Sequence, residues 1–600
     1  MKIRFASLVI TFAFLTLRLH VHAQGGCSLF CDHNRFSTAL GVFALDSNTT
    51  GTHDTAIGDR ALEFNTTGTV NTATGTFALQ NNLTGNDNTA VGARSLHLNT
   101  TGSFNTSIGA DALNNNVSGF GNTAGGSSAL FSNTTGNYNT AIGYYALTAN
   151  TTANNNTAFG ASALTRNTTG ADNTATGSNA LFSNTTGTSN TAIGNNTLYT
   201  NTTGADNVAC GTNALTSNTT GSFNSATGSA ALALNTTGTA NTASGTSALY
   251  HNSIGSYNTA TGRDAMNNNT TGNDNTAAGY RSLFNNTGGY NNTATGRETL
   301  FSNTTGFNNT ASGWQALFSN TTGVNNTAYG VGALILNTIG NSNTASGLDA
   351  LGSNTTGNGN TGTGFGALVS NTTGSQNSAD GLGALFRNTS GASNTATGYN
   401  ALSNSTTGDS NIALGINAGI NLTTGSNNID VGNPGAAGES STIRIGTNGT
   451  QTATYVAGIR GVPVTGAQPV GVNSQGQLGV RPSSARFKEA IKPMDKASEA
   501  ILSFQPVSFR YKKELDPDAT PQFGLVAEDV ARVAPHLVVK DDHGKPFSVR
   551  YEEVNAMLLN EFLKEHRRME ALQSKVTELE EIIKAQSVQL QRMRESGSLE

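Results

Sequence analysis

Charge is scarce in this 600-residue chain, where Asp, Glu, Lys and Arg together make up 12%. Proline occurs 10 times, cysteine 3 times and tryptophan once, and aromatic residues reach only 7%. The apolar fraction is 36%, below the roughly 45–50% of an ordinary soluble domain. These shortages exclude a conventional globular core along the whole length. Three cysteines exclude a dense disulfide scaffold, and they lack the paired spacing of a zinc site. No metal or cofactor motif is present. A net charge of −5 gives no basic stripe for nucleic acid. Beyond the N-terminus no apolar run is long enough to cross a bilayer, so no transmembrane segment is expected in the mature chain.

The little charge there is lies at one end. Residues 481–600 carry 39 of the 69 charged side chains, and the first 480 share 30. Two kinds of protein are joined.

At the N-terminus, Lys2 and Arg4 precede an apolar stretch from Leu8 to Leu17, and Val21-His22-Ala23 suits a cut before Gln24. Residues 1–23 therefore read as an export signal, which places the mature chain outside the cell, secreted or at the cell surface. Residues 24–40 are expected to form an N-terminal cap. Cys27 and Cys31 lie there and could close a small loop or stay as free thiols; Cys210 sits at a variable position and is given no chemistry.

What the chain has in excess is order. A glycine recurs every 17 residues from Gly41 to Gly432, 24 times, without an insertion or deletion. With that glycine fifth, the unit reads N-T-A-x-G-x-x-A-L-x-x-N-T-T-G-x-x, as in Asn173 to Gly187. Position nine is leucine in 21 of 22 copies, Met266 being the exception, and the second glycine is kept in 22 of 23, with Ala153 the departure. Such regularity counts against disorder. A fixed period indicates stacked units that cannot bury their apolar side alone. Seventeen residues suit one coil of a β-solenoid, read here as two short strands and two turns. The glycines supply backbone conformations closed to other residues. Ala and Leu at positions eight and nine point into a thin core, and Asn-Thr-Thr-Gly makes a polar turn.

Stacking at strand spacing gives a rod of about 115 Å over residues 41–432. Asn and Thr would form ladders along its side. The many Asn-x-Thr triplets match glycosylation acceptors, but their fixed phase with glycine favours turn and ladder duty. One leucine and a few alanines per coil make a meagre core, so several chains are expected to share apolar faces. The recurring Asn-Thr-Ala-x-Gly blocks resemble the head repeats of trimeric autotransporter adhesins, although the period here is longer. The resemblance implies stacked β-coils in a trimer. This chain ends in charged helix rather than in those adhesins' membrane barrel.

After residue 432 the period stops. Ile443-Arg444-Ile445-Gly446, Tyr455-Val456-Ala457-Gly458 and Leu478-Gly479-Val480 suggest short strands in a Gly-rich neck over 433–480. Residues 481–600 form a small α+β tail. It has a helix near Ala497–Leu502, a strand over Val507–Tyr511, and a seam at Phe562, Met569, Leu572, Val576, Leu579, Ile583, Gln586, Leu590 and Met593. That seam predicts a coiled coil over about residues 555–594.

The tail's Ser483-x-x-Arg486-x-Lys488, its Phe523–Val530 block and its terminal coil resemble the intramolecular-chaperone auto-processing domain at the end of phage endosialidase tailspikes and other fibres. Ser484 stands where many members have aspartate. The resemblance implies a trimeric tail that helps a β-rich stalk to fold and is then severed by serine autoproteolysis. Carried onto this chain, Ser483 is the nucleophile and Lys488 the base. A serine hydroxyl is a weak nucleophile that a neutral lysine activates by accepting its proton. Arg486 is expected to support the pair, by its positive charge or by an ion pair that orients the chain. Ser484 is the rival nucleophile, and Glu528 and His543 are possible helpers. The cut is expected between Ser483 and Ser484, or after Pro482 if an N-to-O acyl shift operates.

The function expected is a secreted or surface homotrimeric fibre, adhesin-like, which meets a host or environmental surface or glycan. Its enzyme activity is single-turnover self-cleavage, with none on external substrates. The alternatives are a soluble solenoid that binds ice or polysaccharide, or a phage tail-fibre-like protein. Sparse, scattered carboxylates give no recurring acid pair for glycoside cleavage.

Overall fold

The computed structural model describes residues 29–32, 35–459, 464–473, 475–541 and 543–597. The export signal and Cys27 lie outside them. The chain divides into two compact units, Met1–Val456 and Ala457–Glu600.

The first unit is mainly β, a parallel β-solenoid. Its sheet has 26 strands, and each three-residue strand sits at positions two to four of a coil. Thr242 pairs with Thr259 and Ala243 with Ala260, and every step along the repeat keeps that register. Strand Leu29–Asp32 pairs antiparallel with Ser37–Leu40 and covers the edge that the first coil would otherwise leave open. Cys31 lies on that covering strand. At the far end Ile443–Ile445 adds one more parallel strand beyond the last full coil.

Each coil carries one strand, not the two expected. The second half of the coil is turned rather than extended, because it runs through left-handed residues. In one coil Ser247 has φ 56°, Leu249 φ 52° and Tyr257 φ 60°. Side chains tolerate this region at a cost of about 1 kcal/mol each. Asn, Asp and Gly adopt it most readily, and they recur at these positions, as at Asp206 and Asn213.

The core is closed within one chain. Ala243, Ala248 and Leu249 are at most 1% exposed, and the same trio repeats along the rod. The leucines thus need no second chain to cover them, and the thinness of the core does not force chains to share these residues.

The asparagines also differ from expectation, for they lie inside the coil and not along its side. Asn258 donates from its backbone and side-chain nitrogens to Asn241 Oδ1 (3.0 and 3.1 Å) and from Nδ2 to the Gly272 carbonyl (2.8 Å). A second column stands at position twelve, where Asn252 Nδ2 donates to Asn235 Oδ1 (2.9 Å) and to the Gly255 carbonyl (2.8 Å). Buried amides are stable only when so satisfied. Asn235, which opens an Asn-Thr-Thr triplet, is 0% exposed, so the folded coil leaves no room for a glycan on it. Threonine follows on the outside, as when Thr219 Oγ1 donates to the Thr236 carbonyl (2.9 Å).

The invariant spacing of glycine has a steric cause. Gly245 has φ +134°, and a Cβ there would lie 2.6 Å from the Gly262 carbonyl oxygen of the next coil. Gly255 is closed in the same way by the Gly272 carbonyl oxygen and by Asn252 Oδ1.

Two buried carboxylates depart from the pattern. Asp54 replaces the position-one asparagine in an early coil, and Asp430 replaces the strand alanine in the last strand but one. Burial pushes both up to about 6 from an ordinary 3.8. Asn71 donates to Asp54, whereas both oxygens of Asp430 lack a hydrogen-bond partner.

In the second unit, Val470–Val472 and Leu478–Val480 form a short antiparallel pair. The expected strand at Tyr455–Gly458 is absent, since Ala457-Gly458 form a turn. The tail is α+β. A 3-10 helix, Asp495–Ser503, precedes the strand pair Val507–Phe509 and Gln522–Gly524. Helix α1 is Ala527–Val533 and helix α2 is Tyr551–Ser596. Val530, Leu537, Val538, Val549 and Met557 form a small core. The seam of α2 faces solvent in the single chain, with Phe562 68% exposed. Among the described residues no helix is long and apolar enough to cross a membrane.

Gly245→Ala should lower rod stability by about 3 kcal/mol, because the methyl group meets backbone that cannot yield. Thr246→Ala, next to it and exposed, should stay within about 0.5 kcal/mol. Denaturant melts followed by circular dichroism compare the two. Asp54 and Asp430 bind protons more tightly folded than unfolded. Their full stability is therefore present below about pH 3.8 and lost as pH rises through about 6. Melting temperature should fall over that window, and Asp430→Asn should raise it at pH 7 and flatten the slope.

Candidate active site

Ser483 stands just ahead of a single 3-10 turn, Ala485–Phe487. The Phe487 amide donates to the Ser484 carbonyl (3.1 Å) and the Lys488 amide to the Ala485 carbonyl (3.0 Å). The turn folds the chain back on itself, so a lysine five residues on returns to the serine. Lys488 Nζ lies 3.5 Å from Ser483 Oγ, at the long end of a hydrogen bond. Ser484 opens the turn with extended backbone angles, and its side chain caps nothing. Of the two serines, the one the lysine reaches is Ser483.

Arg486 points elsewhere. Its guanidinium covers the Phe487 ring at 4.6 Å, a cation–π contact, and it forms no ion pair among the described residues. Upstream, Arg481 pairs with Glu552 on α2, which ties the segment before the serine to the long helix. Glu528 lies on α1, and the His543 amide donates to Asp541 Oδ1 (2.9 Å). Neither hydrogen-bonds Ser483 or Lys488. Among the described residues no three His, Cys, Asp or Glu side chains are placed to hold a metal ion.

Ser483 and Lys488 are both exposed in the single chain. So are three rings of the tail: Phe487, next to Lys488, at 59%, Phe523 at 86% and Phe547 at 75%. Rings this open in a folded tail are unusual, since Phe is among the residues most often buried.

A second serine–lysine cluster escaped the sequence. Ser498 on the 3-10 helix is buried, accepts a hydrogen bond from Asn560 Nδ2 (2.7 Å) and meets Glu561 and Lys564, all three on α2. Lys564 donates to Glu561 (2.6 Å). That bond raises the lysine's pKa and holds the Glu561 carboxyl below its usual range. A lysine kept protonated cannot take a proton from serine, so this cluster clamps the 3-10 helix onto α2. Only the Glu561–Lys564 spacing on one helix hinted at it; Ser498 lies far away in sequence.

Residues 483–539 match the family model described as chaperone of endosialidase. The match opens on Ser483 and takes in the 3-10 turn, the 3-10 helix, one strand pair and α1. No curated protein matches the chain, and no solved structure does.

Ser498→Ala should loosen the clamp and lower the tail's melting temperature while leaving the Ser483–Lys488 turn in place. Near-ultraviolet circular dichroism and thermal melts of the full chain check this.

Proposed function

We propose that this chain is an exported, self-assembling fibre. Three copies are gathered by the C-terminal chaperone segment, the rods wind, and the tail is released by serine self-cleavage. The observation that carries the reading is the return of Lys488 to Ser483 at the first residue of the matched segment. A rod with a closed polar-and-alanine core and no recurring acid pair is a scaffold, which suits display or attachment at a surface. The N-terminal residues Lys2 to Ala23 support export.

The chemistry needs one step in each direction. Ser483 Oγ attacks a peptide carbonyl carbon as its proton passes to neutral Lys488 Nζ. The C–N bond then breaks and the leaving nitrogen takes that proton from the lysine. Water hydrolyses the resulting ester. Within one chain the attacked carbonyl is that of Pro482, and an N-to-O acyl shift breaks the bond after Pro482; the bond after Ser483 breaks when the attacked carbonyl is that of Ser483 in a neighbouring copy.

Exposure of the pair in one chain supports an order of events in which assembly comes first. Transfer of the serine proton to the lysine amine needs a site from which bulk water is excluded, and packing against neighbouring copies would exclude it. The open rings Phe523 and Phe547 and the seam of α2 supply the apolar area for such packing. Assembly therefore precedes cutting.

Wild-type chain should yield a tail fragment beginning at Ser484 or Ser483, seen on denaturing electrophoresis and by sequencing the new N-terminus. Ser483→Ala and Lys488→Met should each leave the chain whole, a loss of at least a hundredfold in rate. Ser484→Ala should still cut. An intact wild-type chain in a mass-verified trimer rules out the self-cleavage.

A further inference from the structure

Position six comes directly after the invariant glycine, and its character changes along the rod. From Asp59 to Arg263 it is small or polar in every coil but one, where Tyr144 stands. From Trp314 through Leu348 and Leu382 to Ile416 it is a large apolar residue in seven successive coils, each 42–74% exposed. Position ten carries scattered aromatic residues earlier in the rod, among them the stacked pair Phe182 and Tyr199, and a longer run begins near the start of this stretch. Phe284, Phe301 and Phe318 stack with ring centroids 5.3 and 5.1 Å apart and planes within 5°, and Ile335, Val369, Phe386 and Ile420 follow in the column with Gly352 and Ser403 between them.

The two columns form one surface. Arg281 covers both the Tyr280 ring (5.2 Å) and the Phe284 ring (5.3 Å). Farther on, Phe365 and Leu382 from one column and Phe386 from the other line a hollow of about 270 Å3. The surface runs for about 40 Å at strand spacing. An exposed apolar strip this long marks an interaction site.

We infer that this face, positions six and ten from Tyr280 to Ile420, is where copies of this chain meet along the rod. The inference rests on the trimeric reading proposed for the fibre. Three observations choose a second copy over a sugar polymer. Phe284, Phe301 and Phe318 cover one another's faces, whereas a sugar ring needs a free aromatic face, which in this strip falls to the separated rings of Trp314, Phe365 and Tyr399. Half the strip is aliphatic, with Val331, Leu348, Leu382 and Ile416. Arg281 and Arg387 flank it and Arg297 stands within it at position six, and aromatic and aliphatic residues beside arginine are the make-up of protein interfaces. The strip also occupies the coils nearest in sequence to the chaperone tail. Chains joined there in parallel and in register bring each residue beside its own copies, so like columns face one another.

The test uses the full chain with Ser483→Ala to keep the tail attached and Cys27, Cys31 and Cys210 replaced by serine. A single cysteine is introduced as Leu348→Cys or, separately, Leu382→Cys. The control is Thr356→Cys, in the Asn-Thr-Thr-Gly turn. Light scattering gives the mass. Mild oxidation should link chains through Cys at 348 and at 382 into disulfide pairs, and leave the control unlinked. A three-chain mass with free thiols at both strip positions overturns the face and leaves the trimer standing, as does equal linking of the control. A single-chain mass overturns the trimer and this inference together.

Discussion

The structure depends on one constraint, that each coil's polar groups are satisfied by the coil above and below. Asn241 and Asn258 show the terms. One side-chain oxygen receives two donors from the next asparagine, and that amide also reaches a glycine carbonyl. An amide carries both donors and an acceptor, so identical residues in register complete one another. Leucine could not do this, and aspartate brings acceptors only. Asp54, which takes an asparagine's place, still accepts from Asn71, whereas both oxygens of Asp430, which replaces a core alanine, go without partners. The ladder is therefore intolerant of insertions: one extra residue would leave a buried amide unpaired on both sides, at about 1–3 kcal/mol per group.

The same constraint explains the strain that the coil accepts. Leu249 holds a left-handed backbone so that its amide can meet the Ala265 carbonyl (2.9 Å) while its side chain fills the interior. Gly245 passes so close to Gly262 that no side chain fits. Both features bring successive backbones together, and close approach is what lets short side chains such as alanine fill the core. A wider coil would need larger residues and would lose the asparagine contacts.

The period, the glycines and the Ala and Leu core are legible in the sequence because each is a pattern of identity at fixed spacing. The sign of a backbone angle is not such a pattern, so positions like Ser247 and Tyr257 read as extended chain and imply a second strand that the fold does not form. Asn-Thr-Thr-Gly carries the residues of an exposed turn, and only the packing shows that its asparagine turns inward while its threonine stays out. In the tail, Ser483 and Lys488 are visible through a family resemblance, and the turn that joins them is local. The clamp at Ser498 is not, since it links residues distant in sequence whose types are common everywhere.

A rod that closes its core within one chain changes what a chaperone tail is for. It need not lend apolar surface to Leu249 and its copies, which are already covered. The difficulty lies in starting. A first coil must fix several left-handed residues before any neighbour offsets them, so its ordering entropy comes ahead of its contacts. Each later coil stacks on a finished one and gains the full set of bonds, the behaviour of a one-dimensional array. A tail that holds chains together at one end raises their local concentration there. On the function proposed above, this would bring the exposed faces of the first coils of neighbouring chains together, and winding would spread away from the tail. Were the tail released after winding, as proposed above, the fibre would be held by the slowness of unwinding as well as by its bonds.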